Sequence, residues 1–312
     1  MHEGSKRAIL AAFLANLGIA IAKFVGFLVT GASSMLAEAI HSCADTANQG
    51  LLFLGGRTAQ RPPTPDHPFG YGRDRYFWSF VVALVLFSVG GLFAIYEGVQ
   101  KLRDPHDIDS PIVAFVILGV AVALESFSLQ TAVREVNHVR GGLGWVAFVR
   151  RSKTPELPVV LLEDLGALLG LMFALAGLTL AVTLDEPRWD GMGTLAIGVL
   201  LVTIAVILVV EMKSLLIGEG ASAEQERTIR DEIESAPDVR RLIHMRTLHL
   251  GPDELLVAAK IELAAGLSVA GVAAAIDAVE ARVRAAVPIA RIIYLEPALY
   301  LDPPPADAAP AR

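Results

Sequence analysis

One cysteine, Cys43, stands among 312 residues, which excludes an internal disulfide and a cysteine-rich metal site. Charge is scarce. Asp, Glu, Lys and Arg make up 19% of the chain, whereas an ordinary soluble domain carries about 25%. Basic residues are the minority, 26 Lys and Arg against 33 Asp and Glu. The net charge of −7 and the pI near 5.5 argue against nucleic acid as a partner, because phosphate contacts need clustered Lys and Arg. Together these shortages exclude a secreted disulfide scaffold, a disordered regulator and a plain cytosolic enzyme.

What the chain has instead is apolar sequence: 54% hydrophobic residues and a mean hydropathy of +0.55. A hydrocarbon core of about 30 Å needs about 20 helical residues. Six stretches qualify, at 8–29, 34–56, 77–99, 111–133, 157–183 and 192–216, the fourth interrupted by Glu125 and Ser126. The first lacks a small-residue cleavage pattern and is too long for a signal-peptide core. Connections after spans two and four, with the segment before span one, hold eleven Lys and Arg from Lys6 to Lys153. The opposite connections hold three, Lys101, Arg103 and Arg188. This bias predicts that both termini face the cytoplasm. Only a few residues precede span one, too few for an Arg-rich transit peptide, so the expected location is a bacterial plasma membrane.

The expected division is a six-helix membrane domain over 1–217, a polar domain over 218–301 and a disordered Pro- and Ala-rich tail over 302–312. In the polar part, 223–235 reads as a helix and 241–250 as a strand. Gly251-Pro252-Asp253 reads as a turn. Val257, Ala259, Ile261 and Leu263 alternate with polar or small residues, which predicts a half-buried strand. Val269, Val272, Ile276, Val279 and Val283 recur at helical spacing behind Ser268 as N-cap, and Arg291 to Leu295 closes the domain as a strand. The order αββαβ predicts a two-layer α+β domain.

Ionisable groups inside a spanning helix are costly and mark function. At about 100° per residue, Glu38, His41, Asp45 and Asn48 fall on one face of span two. His41 and Asp45, four apart, meet one turn apart and offer a nitrogen and an oxygen ligand to a divalent cation such as Zn²⁺. Glu38 and Asn48 extend the stripe as a relay or entrance. Cys43 points away from it. Span five carries Glu163 and Asp164, which point about 100° apart, so both cannot equally face one site. Asn16 and Lys23 share a face of span one, read as interhelical hydrogen bonding and charge compensation.

The chain resembles the cation diffusion facilitators, a family of metal–proton antiporters, over about residues 6–300. The likeness rests on Gly31-Ala32-Ser33-Ser34, on His41-Ser42-Cys43-Ala44-Asp45, on His67-Pro68-Phe69-Gly70-Tyr71-Gly72-Arg73, on Asp164 to Gly170 and on Gly218-Glu219. It implies six transmembrane helices, a ferredoxin-like cytoplasmic domain and a homodimer. The partners it implies are divalent metal cations and protons as transported ions, with the lipid bilayer around them; no cofactor and no enzymatic activity are implied. The family's site joins two ligands of span two to a His-x-x-x-Asp of span five. By position these are His41, Asp45 and Asp164, with Val160 standing where the His would fall. Mitochondrial-type zinc transporters of the family are similar in placing an acidic pair, here Glu163-Asp164, at this point. On this reading Asp164 faces the ion and Glu163 serves proton-coupled turnover. Two further family sites are altered. The loop keeps Asp66 and His67 but has Tyr71 for a second His. The polar domain keeps His244 but has Lys260 for a His, with Tyr294 and Glu296 for a His and an Asp. The function expected is proton-coupled efflux of a divalent cation, Zn²⁺ foremost, with Mn²⁺, Fe²⁺ or Co²⁺ as alternatives because carboxylates favour harder ions. A passive channel and a non-transporting membrane metal sensor or scaffold are the other classes.

Overall fold

The computed structural model describes residues 3–31, 33–106, 108 and 110–300, without the side chains of residues 3–16, 33, 34, 37, 38, 41, 87 and 88. The chain divides into two units, Met1–Leu216 and Ile217–Arg312.

The first unit is helical. Its elements are α1 (Glu3–Thr30), α2 (Ser33–Thr58), α3 (Asp74–Val85), a π-helical segment (Leu86–Leu92), α4 (Phe93–Arg103), α5 (Pro111–Val139), α6 (Trp145–Arg151), α7 (Glu156–Leu184) and α8 (Arg188–Ile217). Among the described residues, four helical runs are long and apolar enough to cross a membrane: Asp74–Arg103, Pro111–Val139, Glu156–Leu184 and Arg188–Ile217. The protein is therefore a multi-pass helical membrane protein. The other two expected spans coincide with α1 and α2, which fall short by that measure for different reasons. Only Leu17–Thr30 of α1 lies in the described apolar stretch. In α2, Ser42, Asp45, Thr46, Asn48 and Gln49 dilute the hydropathy, Asp45 and Asn48 among them belonging to the expected stripe. The π-helical segment and the short α6 in the basic connection have no counterpart in the sequence expectation.

α2 packs against α1, α3, α4 and α7, while α5 packs against α1 and α7. Arg75 at the start of α3 grips Glu156 at the start of α7 with two nitrogens, Nη2 donating to Oε2 at 3.0 Å. The Tyr76 hydroxyl donates to the Lys153 carbonyl at 3.3 Å, so the same ends are tied twice. Glycines set the approach of α8. A Cβ on Gly98 of α4 would lie 2.7 Å from the backbone nitrogen of Leu195, and one on Gly177 of α7 would lie 2.8 Å from the Trp189 carbonyl oxygen. Backbones this close leave no side-chain layer between helices, which is how apolar helices gain contact where lipid competes for their side chains.

The second unit contains α9 (Ala223–Glu234), β1 (Val239–Gly251), β2 (Glu254–Leu263), α10 (Val269–Ala286) and β3 (Ala290–Pro297). β2 is central, antiparallel to β1 and parallel to β3. Ser222 caps α9 in a reciprocal box with Gln225, and the Ser268 hydroxyl accepts from the Gly271 backbone to start α10. Val257, Ala259 and Ile261 are buried against Ile229, Ile233, Val279 and Val283 of the helices. This is the α+β domain that alternation and capping predict, with boundaries shifted by one or two residues. The expected tail at 302–312 lies outside the described residues.

Replacing Gly98 by Ala forces a methyl group into backbone and should lower the thermal stability of the detergent-purified protein by about 1–3 kcal/mol. Gly119→Ala, which meets nothing within 4 Å, is the control that should leave melting unchanged.

Candidate functional site

The middle of the helical unit buries charge. Asp45 (5% exposed), Glu125 (5%), Glu163 (5%) and Asp164 (8%) come from α2, α5 and α7, and Lys23 (0%) comes from α1. Their directions follow from helix geometry. On α2, Asp45 and Asn48 are three residues apart and both reach α7. The Asn48 amide nitrogen donates to Glu163 Oε1 at 2.9 Å, and the Asp45 carboxyl lies within hydrogen-bonding reach of the Glu163 carboxyl. One residue on, Asp164 is turned to α5, where the Ser128 hydroxyl donates to its Oδ2 at 2.9 Å.

The position-by-position likeness had Asp164 facing the ion and Glu163 serving proton-coupled turnover. In the structure Glu163 meets Asp45 and Asn48, and Asp164 meets Ser128 of span four. Val160 goes with Asp164: it packs against the cluster of Ala132, Val136, Phe148 and Leu161, made by α5, α6 and α7. Val159, one turn before Glu163, is fully buried. The reason is rotational. Adjacent residues differ by about 100°, and the face that α7 presents to α2 is set by packing with several neighbours.

Glu125 and Ser128 are residues that sequence reasoning missed as site candidates. Glu125 continues the buried stripe of Ala114, Leu118 and Ala121 on α5, and its charge is felt by Asp45, Glu163 and Asp164. The available signal was a lone acid in an apolar span followed three residues later by a hydroxyl. Lys23 donates to the Ser42 hydroxyl at 2.8 Å, joining α1 to α2 three residues before Asp45. Asn16, expected on the same face of span one, has its side chain outside the described residues, as have Glu38 and His41.

Among the described residues, no three His, Cys, Asp or Glu side chains already converge to hold a metal ion. What they supply is the Asp45–Glu163 pair with Asn48 beside it. The buried Asn48 Oδ1 accepts no hydrogen bond among the described residues, leaving an oxygen donor available. The secondary positions differ. His67 stacks on Tyr71 with ring centroids 4.6 Å apart, and Tyr71 shares a hydrogen bond with Thr64. The loop histidine thus faces an aromatic ring where a second imidazole was expected to be lost. Asp66 lies on the same loop. On the sheet, His244, Lys260 and Glu296 align across β1, β2 and β3, and the Lys260 ammonium sits 3.0 Å from Glu296. An ion pair thereby occupies the middle of that row.

The family described as the cation efflux transmembrane domain matches residues 9–217, and so covers the helical unit from within α1 to its end. The chain belongs to the cation efflux family. It is 31% identical over 262 residues to the human "Proton-coupled zinc antiporter SLC30A9, mitochondrial", covering 83% of this chain and 46% of that protein. It is 28% identical over 262 residues to "Metal tolerance protein C4" of Arabidopsis thaliana, covering 83% of this chain and 57% of that protein. It is 24% identical over 252 residues to "Zinc transporter ZitB" of Escherichia coli strain K12, covering 80% and 75%. The chain thus spans about half the length of the zinc antiporters it matches at about 31%. The cation efflux family is one of transporters and not of enzymes.

These relatives correct the expected location. Those matched at 30–31% identity are named as mitochondrial proteins, which overturns a plasma membrane with cytoplasmic termini. The expectation leaned on the few residues before α1, and these decide nothing in a chain covering 46% of such a relative. Charge bias between connections orders them relative to each other and names no compartment.

The two acid pairs give a test by coupling. Asn48→Ala and Glu163→Gln should be non-additive in thermal stability by about 0.5–3 kcal/mol, as should Ser128→Ala with Asp164→Asn.

Proposed function

We propose that this cation efflux protein exports a divalent transition-metal cation, Zn²⁺ foremost, in exchange for protons. The observation that carries the reading is the Asp45–Glu163 carboxyl pair, buried where α2 meets α7 in a bundle of membrane helices. Two carboxyl groups within hydrogen-bonding reach hold either a proton or a cation between them. Loading a metal ion there displaces protons, because ligands bind metal in their deprotonated form. That is antiport chemistry, and the family membership and the relatives' names as proton-coupled zinc antiporter and zinc transporter support it.

In this reading Asp45 and Glu163 are direct ligands, His41 adds the nitrogen from the same face of α2, and Asn48 contributes its carbonyl oxygen. Asp164, held by Ser128, is the neighbouring acid that receives displaced protons, with Glu38 on the stripe as the entrance. Asp66, His67, His244 and Glu296 are secondary positions without a complete ligand set, and Lys260 disfavours metal on the sheet. The membrane domain spans 1–217 with α1 and α2 counted as spans, six in all. The α+β domain at 218–301 is ferredoxin-like and serves a homodimer. A ligand set of one imidazole and several oxygens keeps Mn²⁺, Fe²⁺ and Co²⁺ as alternative cargoes.

Purified protein in liposomes with a pH gradient, offered Zn²⁺, Mn²⁺, Fe²⁺ and Co²⁺ in turn, tests the reading. Asp45→Ala should abolish saturable uptake while the protein stays folded; wild-type uptake by that variant excludes the site. A flux of metal without counterflow of protons would make the protein a channel.

Selectivity gives a second test. With Glu163 facing α2, the residue one turn earlier on that face is Val159 and not Val160. Val159→His should raise the preference for Zn²⁺ over Mn²⁺ in competition flux, whereas Val160→His should leave it unchanged. The reverse result restores Asp164 as the ligand.

A further inference from the structure

Lys23 is fully buried in α1, in the membrane domain, where an ammonium is costly unless something requires it. Its placement is specific. The ammonium donates to Ser42 at 2.8 Å, and Ser42 lies three residues before Asp45 on the same helix. Residues three apart on a helix are neighbours, so the positive charge is anchored one turn from the proposed ligand. Among the described residues, Lys23 is the cation whose field reaches Asp45, where Glu125 and Glu163 both act with the opposite sign. A cavity of about 450 Å³ separates α1 from α5, lined by Gly18, Ala22 and Lys23 on one wall and by Val120, Ala121 and Leu124 on the other.

We infer that Lys23 is a tethered counter-cation of the transport site: its ammonium, anchored on Ser42, balances the buried carboxylates while no metal is bound and opposes the divalent ion once it arrives. The inference rests on the reading of Asp45 and Glu163 as ligands. Its consequence is a cap on affinity. A fixed positive charge beside the site weakens the bound state, and a carrier must release its cargo to turn over. Lys23 is thus a positioning residue that tunes affinity and release without touching the metal.

The test is titration of the full-length protein in detergent with Zn²⁺ alone, paired with Zn²⁺ flux in liposomes. Lys23→Gln keeps a hydrogen bond for Ser42 and removes the charge. It should bind Zn²⁺ about tenfold tighter, equivalent to about 1.4 kcal/mol, and turn over more slowly. Lys23→Arg keeps the charge and should retain the wild-type balance of affinity and flux. Should Lys23→Gln not fold, Ser42→Ala serves instead. It frees the ammonium to move toward the carboxylates and should weaken Zn²⁺ binding. Unchanged affinity in the folded variant overturns the inference, and so does equal weakening by Lys23→Gln and Lys23→Arg, which marks a purely structural role. Loss of binding in Asp45→Ala alongside unchanged Lys23→Gln overturns Lys23 alone. Wild-type binding by Asp45→Ala removes the site itself, and the inference with it.

Discussion

The cost of holding ionised groups away from water governs this molecule. Among the described residues of the helical unit, five carboxyl groups (Asp45, Glu125, Glu163, Asp164 and Asp190) and two ammonium groups (Lys23 and Lys101) are buried in surroundings that are mostly apolar. An isolated charge in such surroundings is far too costly to persist, so each must be matched by a hydrogen bond, an opposite charge, a proton or a bound cation. The partners are visible: Asn48 for Glu163, Ser128 for Asp164 and Ser42 for Lys23. All three bonds cross between helices. Satisfying buried charge therefore also fixes which helices are neighbours.

Close backbone packing supplies the complementary constraint. With water excluded and lipid as apolar as the side chains, helices gain little from burying Leu against Leu. Gly98, Gly177, Gly191, Gly193 and Gly198 bring α4, α7 and α8 into direct contact instead. A bundle tightened in this way tolerates a polar centre because its remaining contacts leave little room to rearrange.

What sequence could show, and what it could not, divides at the helix surface. That Asp45 and Asn48 lie on one side of α2 was legible because they share one helix, and 100° per residue fixes their relative directions without knowledge of neighbours. The two-layer domain was legible for the same reason: alternation at Val257, Ala259 and Ile261 and the Ser268 cap are local signals. The choice between Glu163 and Asp164 was not local. It depends on how α7 is rotated against α2 and α5 together, and no spacing along one chain segment encodes that. Glu125 shows the same limit. Alone it reads as a flaw in an apolar span, and only the packing of α5 on α7 makes it a member of the charged centre.

The bond between Ser128 and Asp164 yokes span four to span five, while Glu163, the very next residue, reaches span two. Two adjacent side chains on α7 thus point to different partners, like a clasp engaging a separate panel on each side. Because the two acids share one helix, the rotational setting of α7 fixes the direction of both at once.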